Sequence, residues 1–416
     1  MANIAAKEDL IFMKGITKEK IKFFLSPPHM SGKEKEYIDN AFISNFIAPV
    51  GENIELFEQS LKSFTGAGEV LTTNTGTAAI HLALIAAGVG NGDVVICQSF
   101  TFAASANPIR YQGAVPVFVD SEAETWNMDP EALESAILAC MEGNLKSYSN
   151  LEEVINLPAQ LPKAIIPVHL YGMPAKMQEI NRIAKKYGIK VIEDSAEALG
   201  STYKGIFCGT LGDFGIFSFN GNKIITTSCG GALLSNDRNA IMLAKNLASQ
   251  AKENFVHYEH NRIGYNYRLS NILAGIGIAQ MEVIEERIIK RREIFSLYKN
   301  FLGENPSIRF LEETEDNYSN RWLTTILIDP SKNSGICKEK LRVHLCSLGI
   351  ETRPLWKPMH LQPIYKDFPY FGNNLSNDLF EQGLCLPSGS AMKWDDIYHI
   401  SEEINKITLG KRHLIS

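Results

Sequence analysis

The chain has 416 residues, of which 45% are hydrophobic and 21% charged, a composition typical of a soluble globular protein with two or three domains. Its net charge of −6 argues against general binding to nucleic acids or anionic membranes, and an anionic ligand would need a local basic site. The seven cysteines include no C-x-x-C pair and the N-terminus has no secretory pattern, so we expect reduced thiols in the cytoplasm and neither a metal site nor disulfides.

Apolar runs of strand length alternate with helical patterns over the first half of the chain. Buried strands are predicted at residues 94–97, 115–119, 165–168 and 190–193, and helices at residues 77–87, 130–140 and 176–187. Asp129 precedes a proline and is expected to cap the second of these helices. This βαβα order predicts an α/β fold with a mainly parallel central sheet covered by helices on both faces.

The pattern changes towards the C-terminus. Residues 270–301 predict one or two long helices, in which the charged run 285–293 is a solvated face. Beyond Gly303, a short strand at 324–328, a helix at 338–348 and proline-rich loops predict a smaller α+β domain. We therefore divide the chain into an N-terminal arm (1–22), a large α/β domain (23–285) and a small C-terminal α+β domain (286–416). Residues 143–162 are polar and rich in turn residues, which predicts an exposed insertion.

Small residues open the first predicted helix. The segment 74–79 reads Asn-Thr-Gly-Thr-Ala-Ala. Small residues at a helix start let backbone N–H groups approach a phosphate, and the helix dipole favours the negative charge. An ordinary N-cap by Thr75 or Thr77 explains the segment equally well.

Two residues point to a particular cofactor. Asp194 ends a predicted parallel strand, where ligands of open α/β sheets bind. Lys223 follows 29 residues later, after an alternating Phe-Ser-Phe strand and an Asn-Gly-Asn turn. A lysine that forms a Schiff base and a carboxylate that pairs with the pyridine nitrogen are the two groups that hold pyridoxal phosphate. Taken alone, each residue is also explained as a turn-capping aspartate or a solvated lysine.

Further candidates lie in loops. Phe102 follows a buried strand and either stacks on a ligand ring or joins the core. The segment 264–268 suits a phosphate, a subunit interface or a plain helix entry. Arg353, in a loop that also contains Trp356, can bind a carboxylate in a bidentate manner, as an amino-acid co-substrate requires. The segment 26–30 is a rigid arm or covers a cavity mouth, and lone histidines such as His29 and His169 are more often structural.

As a set, these segments resemble the pyridoxal-phosphate-dependent sugar aminotransferases of the DegT type. The resemblance runs from about residue 24 to residue 401 and is carried by segments 74–79, 167–172, 193–198, 217–231 and 264–270. It implies the aspartate-aminotransferase-like fold, fold type I. Within the family, the segments 24–30, 218–228, 351–357 and 386–389 most resemble the transaminases of the UDP-N-acetylbacillosamine pathway.

The resemblance also implies roles for individual residues. Lys223 is the cofactor-binding lysine and catalytic base, and Asp194 pairs with the pyridine nitrogen. Glu197 lies near the cofactor hydroxyl and the sugar, at a position where many relatives have glutamine. The other expected cofactor contacts are the ring-stacking Phe102 and the phosphate ligands Gly76, Thr77, Ser218 and, from the partner subunit of a homodimer, Asn266. The expected substrate contacts are His29, His169, Arg353 and Trp356.

The function expected from this resemblance is a ping-pong transamination. An amino group passes from L-glutamate to a UDP-linked 4-keto-6-deoxy-N-acetylhexosamine, for the sugars of a bacterial surface glycan or glycoprotein. The alternatives are an aminotransferase acting on another keto-sugar nucleotide (3-keto, dTDP-linked or of the UDP-4-keto-arabinose type) and a non-catalytic cofactor-binding regulator. Lysine rather than histidine at position 223 argues against the deoxygenating dehydratases of the same family.

Overall fold

The computed structural model describes residues 21–409, so most of the predicted N-terminal arm lies outside the described residues. The helices are α1 (Glu34–Ile43), α2 (Glu52–Thr65), α3 (Gly76–Ala86), α4 (Ala103–Tyr111), α5 (Pro130–Met141), α6 (Glu152–Ile155), α7 (Met177–Tyr187), α8 (Arg238–Ala248), α9 (Asn271–Met281), α10 (Ile284–Leu302), α11 (Lys338–Ser347), α12 (Leu375–Gln382) and α13 (Trp394–Leu409). The strands are β1 (Glu69–Thr73), β2 (Val94–Gln98), β3 (Val115–Val119), β4 (Ala164–Ile166), β5 (Lys190–Asp194), β6 (Thr202–Tyr203), β7 (Ile206–Phe207), β8 (Phe214–Ser218), β9 (Gly231–Ser235), β10 (Ile308–Phe310), β11 (Asn317–Tyr318), β12 (Thr324–Ile328), β13 (Arg353–Pro354), β14 (Tyr370–Phe371) and β15 (Gly383–Leu386).

An eight-stranded sheet forms the centre of the molecule, in the order β1-β9-β8-β5-β4-β2-β3-β14. From β8 to β14 all neighbouring strands are parallel, whereas β9 is antiparallel to both β1 and β8. The strands β2 and β3 are completely buried runs of mainly Val, Ile and Phe, as expected for a sheet with helices on both faces. The predicted α/β class with a mainly parallel sheet is confirmed.

The parallel pairing of β5 with β8 determines where a ligand can bind. Asp194, the last residue of β5, is in register with Ile216 of β8, and Ser218 ends β8 two residues later. Carboxyl ends of parallel strands meet at one edge of a sheet. The side chains of Asp194 and Ser218 therefore lie at the same edge, next to the start of α3.

A second, smaller sheet is made of C-terminal strands in the order β10-β12-β15-β13, and it packs against α10, α11 and α13 through a separate hydrophobic cluster. One C-terminal strand leaves this unit, because β14 joins the edge of the large sheet beside β3. The predicted domain boundaries at residues 22, 285 and 416 remain predictions.

Residues 22–34, which we term the N-terminal strap, connect the two sheets. Lys22 N–H donates to the carbonyl of Gly349 at 2.8 Å, and Leu25 accepts from Ser388 N–H at 2.8 Å. Further along, the carbonyl of His29 accepts from the Gln280 side chain of α9 at 3.1 Å. The strap therefore ties the small C-terminal sheet to the helices of the large unit.

Local predictions agree with the helix termini. Asp129 caps α5 by accepting from the Glu131 N–H, and Thr75 rather than Thr77 caps α3. Residues 270–301 form two helices, α9 and α10. None of the helices within residues 21–409 combines the length and the apolar character needed to cross a membrane.

Candidate active site

A cavity of about 310 Å³ opens beyond the carboxyl ends of β5 and β8, and we call it the lysine cavity. Its walls come from the start of α3, the loop after β2, the ends of β5 and β8, and the turn that contains Lys223. Of the predicted site residues, it brings together Gly76, Thr77, Phe102, Asp194, Glu197, Ser218, Lys223 and Trp356. Residues as far apart in the chain as Thr75 and Trp356 thus line one cavity.

One end of the lysine cavity is a cradle of small residues. The N–H groups of Gly76 and Thr77 belong to the first turn of α3, where amides have no intrahelical acceptor. A Cβ atom on Gly76 would lie 3.1 Å from the Cβ of Ser218, so a side chain there would press on the serine and fill the cradle. Gly231 is equally constrained, since its Cβ would lie 2.4 Å from the Gly76 nitrogen. Amides, a hydroxyl and a helix N-terminus suit a phosphate group.

Asp194 forms the inner wall of the cavity and is 4% exposed. Its Oδ2 accepts from the Ser105 hydroxyl at 2.5 Å, and its Oδ1 accepts from the Ala196 N–H at 3.2 Å. The Ser105 hydroxyl is also 2.7 Å from that of Thr101. A carboxylate has about four acceptor positions and two are used here, so Asp194 retains capacity for a further donor from a ligand.

Lys223 is held between a carboxylate and an aromatic ring. Its Nζ lies 3.3 Å from Glu197 Oε1 and 4.2 Å from the centre of the Trp322 ring. Only 12% of the Lys223 side chain is exposed, which is uncommon for a lysine. The amine is therefore fixed inside the cavity and faces the same space as Asp194.

Glu197 is buried, and burial raises the pKa of its carboxyl group, while the charge of Lys223 and the N–H of Tyr171 oppose that rise. Its Oε2 accepts from the Tyr171 N–H at 2.7 Å. Tyr171 has a left-handed backbone (φ 56°), and its hydroxyl accepts from the Trp356 N–H at 2.8 Å. Glu197 thereby connects Lys223 to the loop that carries Trp356.

His169 lies behind the cavity rather than in it. Its side chain is fully buried, its Nε2 is 3.0 Å from Glu193 Oε2, and its Nδ1 accepts from the Ala175 N–H at 3.0 Å. Both ring nitrogens are therefore occupied, and no surface remains for a substrate. The backbone N–H of His169 also donates to the carbonyl of Asp194 at 3.1 Å, so the structure gives His169 a framework position, and the substrate contact expected at His169 stays a prediction.

A second cavity of about 790 Å³, the outer cavity, adjoins the first. The two share Asn222, Trp322 and Trp356 as walls. The outer cavity contains the cationic side chains of Arg353 and Lys357, and the strap residues 24–28 form one side of it. It offers space next to the lysine cavity, and its charged lining consists of these two cations and the Glu351 carboxylate.

The predicted substrate contacts differ in their placement. Arg353 is exposed and pairs with Glu351 at 2.8 Å, which leaves part of its guanidinium facing the outer cavity. The Trp356 ring lies 5.1 Å from that of Phe102, and its buried Nε1 has no hydrogen-bond partner among residues 21–409. His29 lines neither cavity; its Nδ1 is 3.0 Å from Ser390 Oγ, so it anchors the strap within this chain.

Asn266 lies outside both cavities of its own chain and is exposed. Its carbonyl accepts from the Asn74 side chain at 3.2 Å, beside the start of α3. Cys229 lines the lysine cavity with an exposed side chain.

Sequence reasoning missed Ser105 and Trp322. Ser105 lies in α4 one turn after Phe102, and its small side chain gives no signal until the fold points it at Asp194. Trp322 lies 99 residues beyond Lys223, in the segment before β12, so only tertiary structure brings it to the lysine.

The residues present fit pyridoxal phosphate. The cradle around Gly76 and Ser218 suits its phosphate, and Asp194 offers the acceptor that a protonated pyridine nitrogen needs. Lys223 supplies the amine that binds the aldehyde, and Phe102 supplies an aromatic face at the mouth.

Comparisons of sequence point in the same direction. Residues 28–405 match the DegT/DnrJ/EryC1/StrS aminotransferase family. EpsN from Bacillus subtilis (strain 168), whose name describes a pyridoxal phosphate-dependent aminotransferase, is 52% identical over 379 residues, covering 90% of this chain and 93% of EpsN. GDP-perosamine synthase from Escherichia coli O157:H7 is 38% identical over 92% of this chain and 98% of its own. A UDP-4-amino-4,6-dideoxy-N-acetyl-beta-L-altrosamine transaminase from Campylobacter jejuni is 32% identical over 76% of this chain and 79% of its own.

Solved structures have the same fold. A DegT DnrJ EryC1 StrS aminotransferase from Brucella abortus superposes with a TM-score of 0.80 at 28% identity, covering 90% of this chain and 95% of the other. Spr1654 from Streptococcus pneumoniae, described as a sugar aminotransferase, has a TM-score of 0.81 in its PLP form at 26% identity, covering 92% of this chain and 98% of the other. Its PMP form gives 0.81 at 26%, covering 93% and 99%. These similarities confirm the predicted aminotransferase fold and the predicted cofactor.

Proposed function

The chain belongs to the DegT/DnrJ/EryC1/StrS aminotransferase family and is a pyridoxal-phosphate-dependent sugar aminotransferase, and from this premise we propose that it converts a UDP-linked 4-keto-6-deoxy-N-acetylhexosamine to the 4-amino sugar. L-Glutamate is the proposed amino donor. The proposed amino transfer is supported most strongly by one observation: Lys223 and Asp194 line the same cavity. The phosphate cradle lies at the end of that cavity, and the larger outer cavity with Arg353 and Lys357 lies beside it.

When bound, pyridoxal phosphate supplies an electron sink for the pair left when a proton leaves the carbon that bears the amino group. Asp194 maintains that capacity, because its carboxylate favours the proton on the ring nitrogen. The Ser105 hydroxyl donates to Asp194 Oδ2 at 2.5 Å and so fixes the orientation of the carboxylate. It occupies only one of the two carboxylate oxygens. Gly76, Thr77 and Ser218 would hold the phosphate group of the cofactor.

Lys223 is the proposed base. A free Lys223 amine would take the proton from the substrate carbon that bears the amino group at Nζ, and would pass that proton on so that the amino group leaves the donor. Glu197, 3.3 Å away, and the Trp322 ring hold the amine in reach and limit its rotation. Phe102 and Trp356, whose rings lie 5.1 Å apart, restrict water at the mouth of the lysine cavity.

The outer cavity is the proposed entry for both co-substrates. A nucleotide sugar carries a diphosphate and glutamate carries two carboxylates, and Arg353 and Lys357 are the cations that line this cavity. The UDP-linked substrate rests on the resemblance of segments 24–30 and 351–357 to the bacillosamine-type transaminases. The 32% identity to the Campylobacter jejuni UDP-amino-sugar transaminase supports it.

A GDP-linked 4-keto-6-deoxyhexose is the second candidate substrate. It is favoured by one specific observation: GDP-perosamine synthases from three organisms are 38%, 33% and 32% identical to this chain over at least 90% of its length. The two candidates differ in the base and in the substituent at C2 of the sugar.

The test is a panel of nucleotide-linked 4-keto and 3-keto sugars, carrying UDP, GDP or dTDP, incubated with the holoenzyme and ¹⁵N-glutamate. Mass spectrometry and NMR of the products identify the aminated carbon and the nitrogen source. We expect the UDP-N-acetyl substrate to have the highest kcat/KM. A higher kcat/KM for the GDP-linked sugar than for the UDP-linked sugar would favour the second candidate substrate. No ¹⁵N transfer to any sugar, with the bound cofactor unchanged by glutamate, favours a regulator.

We also propose a symmetric homodimer with shared sites. Asn266 is exposed and absent from its own chain's cavity, yet its segment adjoins the phosphate cradle through Asn74. In a two-fold dimer each copy can offer this residue to the other's cradle.

A further inference from the structure

Four hydrogen bonds form a closed ring beneath the turn that carries Lys223. Ser26 Oγ and Trp322 Nε1 both donate to the carbonyl of Asn222, at 2.7 and 2.8 Å. Arg291 links Ser26 to Trp322. One of its guanidinium nitrogens donates to Ser26 Oγ at 2.9 Å, and another donates to the backbone carbonyl of Trp322 at 2.6 Å. We call these four residues the Arg291 ring.

Arg291 is an unusual choice for this position. It is 2% exposed, and within residues 21–409 no carboxylate lies at ion-pair distance from it. Its Nε lacks a hydrogen-bond partner in the same part of the chain. Burying a guanidinium without a counter-ion is unfavourable, so a plain structural role is better served by an apolar side chain of similar volume. The two hydrogen bonds of Arg291 are what an apolar side chain at this position would lack.

The ring holds the two groups that fix the reactive amine. Asn222 immediately precedes Lys223, so its carbonyl position sets the direction in which the lysine leaves the backbone. The Trp322 ring lies 4.2 Å from Nζ and forms one face of the site. A guanidinium is planar and rigid, so its two N–H groups impose a fixed separation on Ser26 and Trp322.

The three partners come from distant parts of the molecule. Ser26 belongs to the strap, Arg291 to α10, and Trp322 to the segment before β12, whereas Asn222 belongs to the large unit. Without the ring, the turn 220–223 would rest on local contacts such as the bond from Lys223 N–H to the Asn220 carbonyl.

We propose that Arg291 is a positioning residue for Lys223, acting through Ser26 and Trp322 to fix the amine relative to the lysine cavity. This rests on the proposed role of Lys223. Small displacements of a reacting group cost large factors in rate, so loosening the ring slows proton transfer more than it weakens substrate binding.

The test uses three ring variants and one control. Ser26→Ala removes one donor, Ser26→Thr restores the hydroxyl, and Arg291→Met keeps the stem without the donors. Arg321→Met is the matched control: Arg321 is 5% exposed and adjacent to Trp322 in sequence, but it donates to the Leu311 carbonyl and lies outside the ring.

Two rates and the thermal midpoint are measured. The first is the single-turnover rate constant for amino transfer from glutamate in the holoenzyme, with its half-saturating glutamate concentration. The second is the rate at which formaldehyde and cyanoborohydride methylate Lys223 in the cofactor-free protein, read by peptide mass spectrometry against the exposed Lys299 as internal reference.

For Ser26→Ala and Arg291→Met we expect the single-turnover rate constant to fall by about 10-fold, while the half-saturating glutamate concentration stays within about 2-fold of wild type. In the same variants the methylation rate of Lys223 should change by about 3-fold or more. Ser26→Thr returns both rates towards wild type, and Arg321→Met lowers only the thermal midpoint. Unchanged rates in Ser26→Ala, or the same losses in Arg321→Met, overturn the proposal. If Arg291→Met does not fold, the Ser26 pair decides. Absence of glutamate turnover in the wild type contradicts the proposed function instead, and the methylation rates still test the ring.

Discussion

The amine of Lys223 and the carboxylate of Glu197 lie 3.3 Å apart inside one largely buried cavity, although 26 residues separate them in the chain. The ion pair is desolvated on both sides, with 12% of the lysine and 4% of the glutamate side chain exposed. This ion pair joins the loop after β5, which contains Glu197, to the turn after β8, which contains Lys223. The chemistry proposed for this site depends on that juxtaposition, with Asp194 on the same wall.

Replacing the inner carboxylate tests the electron-sink role. Asp194→Asn keeps the shape but cannot compensate a proton on the ring nitrogen. We expect kcat to fall by about 10²-fold or more, with cofactor still bound. Ser105→Ala, which removes only the donor to Oδ2, is expected to cost about 10-fold at most. A D194N enzyme with more than half of wild-type kcat contradicts the assignment.

The pH dependence of activity tests Glu197. Burial raises the pKa of this carboxyl group above its ordinary value, so it takes up a proton earlier than a surface glutamate as the pH falls. Protonation removes the carboxylate charge that faces the Lys223 nitrogen. We therefore expect wild-type kcat/KM to decline on the acid side through that raised pKa, and Glu197→Gln, which retains an acceptor for Tyr171, to lack this limb. If kcat/KM of the wild type and of Glu197→Gln declined in the same way at low pH, Glu197 would not be the group responsible for the decline.

Stability at low pH depends on a carboxylate of the strap. Burial alone would raise the pKa of Glu34, but N–H donors from Ser31, Gly32 and Gln280 lower it to about 2. A folded-state pKa below the unfolded value adds stability at neutral pH, and that contribution is lost as the pH falls from about 4.5 to about 2. Glu34→Gln is expected to be less stable by roughly 1–3 kcal/mol at pH 7.

Denaturation of the wild type and the E34Q variant over this pH range checks the sign. The two curves should converge as the pH approaches 2. A difference that is constant from pH 7 to pH 2.5 would mean that the charge of Glu34 is not what stabilises the strap.

Subunit mixing tests the shared site. Lys223→Ala and Asn266→Ala proteins are each expected to be nearly inactive, whereas a mixture after subunit exchange forms heterodimers with one intact site. Random exchange makes about one quarter of all sites intact, so activity should recover to about that fraction. If Asn266 acts in the site of its own chain, the mixture recovers no activity. If the N266A protein is active by itself, Asn266 is not part of the site.

Much of the large unit is predictable from local pattern. The buried runs that became β2, β3 and β5 and the caps at Thr75 and Asp129 follow from periodicity and capping chemistry. The placement of Asp194 and Ser218 at one edge of the sheet follows from strand ends, because parallel strands bring their carboxyl ends together.

Other features depend on long-range packing. Nothing local marks β9 as antiparallel or assigns β14, two residues long, to the edge of the large sheet. Trp322 and Arg291 meet the lysine turn only when the strap, α10 and the second sheet assemble. The surroundings of His169 also depend on packing, because the fold buries its ring against Glu193.

The most direct measurement is reductive trapping. The holoenzyme is treated with borohydride, digested and analysed by peptide mass spectrometry, with Lys299→Ala as a control that leaves the site intact. We expect one phosphopyridoxyl adduct per chain, on the peptide containing Lys223, and none in Lys223→Ala. An adduct on a different lysine, or an undiminished adduct in Lys223→Ala, would contradict this expectation.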